Sequence, residues 1–183
     1  MIFFDIDGVL GNFERWALSK DRRAFKIDLA HKNAFRLTSV LLQNYKEAFL
    51  VSETIPQGIK LLQKHYLQDV KFLSALPNKE PFLEYYPYLA TSYKENGKDK
   101  DIDCIFSTFA KNKRQWCKNV LGAEDEQVIL VNAHKEKLKY CRAGDILYDD
   151  NPYTIKAWNA AGGDGRHVKF STIPWSDLEG QAL

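Results

Sequence analysis

Residues 2–13 read IFFDIDGVLGNF. The opening run, residues 2–6, is apolar apart from Asp5 and ends at Asp7-Gly8, a turn signal. It predicts a buried strand that delivers a loop at its carboxyl end. Two carboxylates one residue apart at that point are costly to bury unless they hold a cation or take up protons. Oxygen donors of this kind suit a hard divalent ion such as Mg2+, with one carboxylate and a nearby backbone carbonyl among its ligands.

Working outward, three later runs resemble the first: VKFLS at 70–74, VILVN at 128–132 and DILYD at 145–149. IDCIF at 102–106 and HVKF at 167–170 are weaker strand candidates. Between them lie helix-like stretches at 54–66, 111–121 and 152–160, the last opening with Pro152 at a first helical position. Strands alternating with helices predict an α/β fold, a Rossmann-like parallel sheet flanked by helices. Ligands of such sheets bind beyond the carboxyl ends of the strands. There the string ILYDDNP, residues 146–152, repeats the first pattern, an apolar strand followed by Asp149 and Asp150 and a turn into a helix. If both strands lie centrally, the two acidic pairs converge on one edge, and a shared metal is the economical explanation.

Residues 13–48 break the alternation. They are rich in Lys, Arg, Phe and Leu, contain no convincing strand, and space Phe35, Val40, Leu41, Leu42 and Tyr45 as a helix would. The expected organisation is a core of residues 1–12 and 51–183 with a small helical cap, 13–50, inserted after the first strand and standing over the site. Segment 94–103 (KENGKDKDID) reads as a solvated charged loop.

Composition narrows the remaining classes. The chain has 183 residues, 45% apolar and 27% charged, which excludes disordered and low-complexity proteins. A net charge of +2 does not argue for a nucleic-acid or membrane-surface partner. Cys104, Cys117 and Cys141 are too few and too widely spaced for a disulfide framework, so a reducing cytoplasm is the expected compartment. The beginning of the chain lacks a basic region and carries Asp5 and Asp7 within its apolar run, so it does not read as a signal peptide. No stretch approaches the ~18 apolar residues of a membrane span.

These strings resemble the haloacid dehalogenase-like phosphohydrolases. The family's first motif matches Asp5-Ile6-Asp7-Gly8-Val9, its second, a strand ending in Ser or Thr, matches Val70–Ser74, and its fourth matches Asp149-Asp150. Within the family the chain is most similar to the 5'(3')-deoxyribonucleotidase branch. The residues that carry this are GVLGNFE after the first motif, Ile55-Pro56 with Gly58, Lys113 and Trp116 followed by Leu121-Gly122, and LYDDNP with the W and AGG of residues 147–163. The likeness spans roughly residues 1–170. Asn12 departs from it, since the branch usually has Asp there.

The resemblance implies a Mg2+-dependent phosphomonoester hydrolase acting on a small-molecule phosphate ester, a (deoxy)ribonucleoside monophosphate. Asp5 would be the nucleophile, forming an aspartyl-phosphate, and Asp7 the acid and then the base. Mg2+ would lie among Asp5, the Asp7 carbonyl and Asp149, with Asp150 orienting a water, and Ser74 would hold a phosphate oxygen. The third motif is a lysine, for which Lys135, Lys137 and Lys139 all qualify; spacing favours Lys137, then Lys139. Lys113 reads as helix surface. Phe13, at a position where the family stacks an aromatic on the base, Trp16 and Lys79 are candidate substrate contacts, and Tyr85, Tyr86 and Tyr88 read as packing. His31, His65, His134 and His167 show no metal-ligand spacing and read as structural or surface. Rival readings are a phosphatase for a sugar phosphate or a nucleic-acid 3'-phosphate end, and a catalytically silent phosphate-binding module.

Overall fold

The computed structural model describes residues 1–22, 24, 30–90 and 101–170. Five strands, β1 (Ile2–Phe4), β2 (Val70–Ala75), β3 (Val128–Val131), β4 (Ile146–Asp149) and β5 (Asp164–His167), form one sheet in the order β3-β2-β1-β4-β5. Every neighbouring pair is parallel. The helices are α1 (Phe13–Lys20), α2 (Ala30–Gln43), α3 (Pro56–Gln63), α4 (Lys79–Tyr85), α5 (Ile102–Trp116) and α6 (Pro152–Ala160). A turn of π-helix at Cys117–Leu121 continues α5, and a 3-10 helix at His134–Tyr140 precedes β4. The α/β architecture with a helix-flanked parallel sheet is therefore the one expected from the alternation.

Both faces of the sheet are covered, which is why the central strands read as unbroken apolar runs. Ile2, Phe4, Val70, Phe72, Val128 and Tyr148 pack on one side with Trp116 and Cys117. Phe3, Leu73, Val131 and Leu147 pack on the other with Ile155 and Trp158 of α6. A third apolar cluster contains no strand residue. It joins Trp16, Ala17, Val40, Leu41 and Phe49 to Phe82, Leu89 and the α5 residues Ile102, Ile105, Phe106 and Phe109. The helical stretch after β1 thus shares its interior with α4 and the first half of α5. No helix among the described residues is long and apolar enough to cross a membrane.

Two weak strand candidates resolve differently. Residues 102–106 begin α5, not a strand: the Asp101 carboxylate caps the helix by accepting from the Cys104 N–H at 2.7 Å, and Ile102, Ile105, Phe106 and Phe109 bury one face at helical spacing. The last strand is Asp164–His167, three residues earlier than HVKF, because the open edge of β4 supplies backbone partners from Ile146↔Asp164 to Asp149↔His167. In the segments 94–103 and 51–183, residues 91–100 and 171–183 lie outside the described residues, as do the side chains of His31 and Phe35.

The loop after β1 is closed on itself by Leu10 and Gly11 N–H groups donating to the Ile6 carbonyl at 2.9 and 2.8 Å. Gly8 has φ +76°, and a β-carbon there would lie 2.0 Å from Asp150 Oδ2, so only glycine lets the two acidic loops meet. Gly58 does the same for α3, where a β-carbon would lie 1.8 Å from the Val9 carbonyl oxygen. Asn12 caps α1, its side chain accepting from the Arg15 N–H at 3.1 Å, a task that its amide performs as well as a carboxylate would.

Candidate active site

The order of the sheet reverses between β1 and β4, and a parallel sheet opens a crevice at such a point. Register aligns Phe4 with Tyr148, so Asp5 and Asp149 leave the edge side by side. The Asp5 N–H donates to the Tyr148 carbonyl at 2.9 Å, and Asp5 is 3% exposed. Between the two carboxylates sits Lys137, fully buried, its Nζ 2.8 Å from Asp5 Oδ2 and 2.7 Å from Asp149 Oδ2. The other Asp149 oxygen accepts from the Asn151 N–H at 2.8 Å.

A second buried lysine comes from α5. Lys113 Nζ forms an ion pair with Asp7, and donates to Ser74 Oγ at 3.1 Å and to the Ala75 carbonyl at 2.7 Å. These groups line a cleft of about 570 Å³, whose acidic floor is Asp5, Asp7 and Asp150 and whose apolar wall is Phe13, Leu37, Leu41, Phe49, Leu76 and Pro77. Glu14, His134 and Tyr153 complete its rim, Tyr153 with most of its side chain in solvent.

The charges divide into two kinds. Burial alone would raise Asp5, but the charge and hydrogen bond of Lys137, helped by Lys113, outweigh it and hold that carboxyl below the usual range. Burial, with the charge of Asp5 added, raises Asp7 even against Lys113. Burial and the Asp5 charge push Asp149 up to about 6. Asp150 is pushed up to about 7 by burial and by the charges of Asp5 and Asp149. Asp5 is held low while burial raises the three carboxylates around it.

Asp5, Asp149 and Asp150 each bring an oxygen within 4.8 Å of the others, a spacing that could hold a metal ion. With all four carboxylates ionised, the two ammonium groups leave an excess of two negative charges here. An all-oxygen donor set with that excess fits a hard divalent cation such as Mg2+.

Of the residues singled out from the sequence, Asp5, Asp7, Asp149, Asp150, Ser74, Lys137 and Phe13 come together. Three do not. Lys139 is 68% exposed and paired with Glu136 at 2.7 Å, away from the phosphate position expected of it. With three residues per turn, the 3-10 helix aligns His134 with Lys137 and turns Lys139 outward. Lys79 is drawn off by Asp103 at 2.7 Å and lies over the Phe106 ring, outside the cleft. Trp16 is buried in the helical cluster beneath Phe13, ring centroids 5.5 Å apart, and does not line the cleft.

Lys113, expected at a helix surface, is 1% exposed. Its string KNKRQW is almost wholly polar, but Phe109, Asn112, Lys113 and Trp116 stand at i, i+3, i+4 and i+7, so the buried face of α5 passes through the lysine. His134 lines the cleft too. Burial, then the charge of Lys137, lowers it against the pull of Asp5. Phe49, Leu37 and Leu41 carried no site signal, because an apolar residue in a cleft wall has the same sequence pattern as one in a core.

No protein-family model matches the chain, and no curated protein matches it. Among solved structures, the HAD domain of the effector protein Lem4 from Legionella pneumophila is 12% identical, with 100% of this chain and 92% of that chain covered and a TM-score of 0.36. A hydrolase from Streptococcus pneumoniae is 14% identical, with 98% and 95% covered and a TM-score of 0.39.

Proposed function

We propose that this chain is a Mg2+-dependent phosphomonoester hydrolase that works through an aspartyl-phosphate on Asp5, with a (deoxy)ribonucleoside monophosphate as substrate. The observation that carries the reading is Asp5 itself, buried, kept ionised by Lys137, and within 4.8 Å of Asp149 and Asp150 at the edge of a parallel sheet. Phosphate monoesters hydrolyse extremely slowly unaided, so a catalyst must position a nucleophile and neutralise charge.

Each residue has a task that its surroundings support. An Asp5 carboxylate oxygen attacks phosphorus as the ester oxygen departs. Asp7, raised by burial and facing the same cleft, gives its proton to that oxygen and then takes one from the water that cleaves the acyl phosphate. Lys113 and the Ser74 hydroxyl stand where they can hold a phosphate oxygen, and Lys137 keeps Asp5 and Asp149 from repelling each other. Mg2+, for which Asp5, Asp149 and Asp150 are the available ligands, would screen the repulsion between an anionic nucleophile and an anionic ester. The wall of Phe13, Phe49, Leu37 and Leu41 offers a flat apolar group such as a nucleobase more than it offers a hydroxyl-rich sugar.

The test is phosphate release from nucleotides, sugar phosphates and p-nitrophenyl phosphate with and without Mg2+. Turnover is expected to vanish in excess EDTA and in Asp5→Asn, because each removes a step instead of weakening binding. Undiminished turnover in either would refute the proposal.

A further inference from the structure

Residues 44–52 lead from α2 toward α3, and α5 grips them at both ends. The buried Asn112 amide donates to the carbonyls of Tyr45 at 3.3 Å, Lys46 at 3.1 Å and Ala48 at 3.0 Å. One turn along α5, Trp116 Nε1 donates to the Ser52 carbonyl at 2.7 Å. Between these two anchors the loop carries Phe49, which has φ +67°, the one positive value at a non-glycine residue among the described residues. A side chain in that backbone region is strained, and persists only where its surroundings over-determine it. Here they do: three carbonyls just before Phe49 are held by one amide, and its ring is stacked on Phe13 at 4.6 Å and set edge-on to Phe109 at 5.5 Å.

What the strained residue supplies is a seat. Lys113, the neighbour of Asn112, places its Nζ 4.5 Å from the centre of the Phe49 ring. Its N–H groups go to Asp7, Ser74 Oγ and the Ala75 carbonyl, so the ring closes the remaining side of the ammonium. An anionic substrate entering the cleft competes with Asp7 for this charge, and the ring is the contact that such competition does not exchange.

We infer that Asn112 is a positioning residue for Lys113, acting through Phe49: by fixing the carbonyls of Tyr45, Lys46 and Ala48 it sets the ring on which the ammonium rests, and so its reach to Asp7 and Ser74. Adjacent residues of one helix thereby hold both ends of one device. The kinetic part of this inference rests on the proposed hydrolase reading; the spectroscopic part does not.

The experiment compares the full-length chain with Asn112→Ala and Phe49→Leu, by NMR of 13C-labelled lysine methylenes and by kinetics on p-nitrophenyl phosphate. In the unaltered protein the Phe49 ring current moves the Lys113 Hε protons upfield of the solvent-exposed lysines, the signal being assigned by its loss in Lys113→Met. Both variants are expected to abolish that displacement and to lower kcat by roughly tenfold or more, with KM changed less than about threefold. A merely structural role for Asn112 would lower the melting temperature and leave the displacement and the kcat of the folded protein in place, and that result overturns the inference. If Asn112→Ala does not fold, Phe49→Leu decides alone, and a kcat within about threefold of the unaltered chain overturns it. If the unaltered chain hydrolyses no ester, the hydrolase reading fails by itself. The Lys113 displacement then decides the positioning claim, its loss in Asn112→Ala supporting the claim and its retention overturning it.

Discussion

Replacing Lys137 by methionine keeps the length of the side chain and deletes its charge. In the folded chain this leaves Asp5 and Asp149, 3% and 0% exposed, side by side with no cation between them. Removing one partner of a buried ion pair typically costs about 3–5 kcal/mol, because the charge left behind stays buried and unpaired. Two carboxylates lose the same partner here, so a loss near the top of that range, about 5 kcal/mol at pH 7, is expected in EDTA. That is a large share of the roughly 5–15 kcal/mol that holds a domain together. Lys139→Met, two residues along the same 3-10 helix, is the control: its pair with Glu136 is screened by solvent and contributes little.

The pH dependence has a definite sign. In the unaltered chain Asp5 is held below its unfolded value, so its stabilisation is present above that value and is lost as pH falls through the folded one. Without Lys137, burial is opposed only by the charge of Lys113 and the hydroxyl of Ser74, so Asp5 moves upward relative to the unaltered chain and the cost of ionising it grows as pH rises. The gap between the two proteins should therefore narrow on lowering the pH from 7 toward 4. Urea denaturation followed by tryptophan fluorescence measures both effects. Equal losses for the two methionine variants, or a Lys137→Met loss below about 1 kcal/mol, would refute the reasoning.

Other outcomes follow from single residues. Asp7→Asn should slow kcat by at least ~100-fold while calorimetric Mg2+ binding stays close to normal, since Asp7 is not among the clustered carboxylates; lost Mg2+ affinity with intact kcat would contradict its acid–base role. Phe13→Ala should lower kcat/KM for a nucleotide by roughly 5- to 150-fold, the scale of one base–aromatic stack, and far less for a small phosphate ester that has no ring to stack. Equal losses on both substrates would mean that Phe13 only supports Phe49 and Trp16. Burial pushes the Cys117 thiol up to about 12, so iodoacetamide at pH 8 should label Cys104 and Cys141 and spare Cys117 in the native chain, as mass spectrometry of the digest would read.

The sheet was legible because both its faces are covered, which leaves apolar runs at 2–6, 70–74, 128–132 and 145–149, the first and last carrying acids at their carboxyl ends. The convergence of Asp5 with Asp149 was legible for the same reason, since adjacent parallel strands in register must release their ends together. Lys113 was not, because a short window shows a charged string and only the seven-residue spacing from Phe109 to Trp116 reveals its face. Lys137 and Lys139 could not be told apart by alternation, for the 3-10 helix that separates them has a period that neither a strand nor an α-helix shares. β5 is polar throughout and owes its conformation to the free edge of β4, which no pattern within its own residues records.

The 15 residues of α5 have their first half in the helical cluster and their last turn against the sheet, with no glycine or proline between. At 1.5 Å per residue this is a girder of about 22 Å joining the two layers that bound the cleft. Helices kink where proline, glycine or a bulge interrupts them, and α5 is interrupted only beyond Trp116, so one unbroken helix spans both layers. On the proposed reading, a substrate is then sized by a cleft whose two bounding layers a single helix holds at a set spacing.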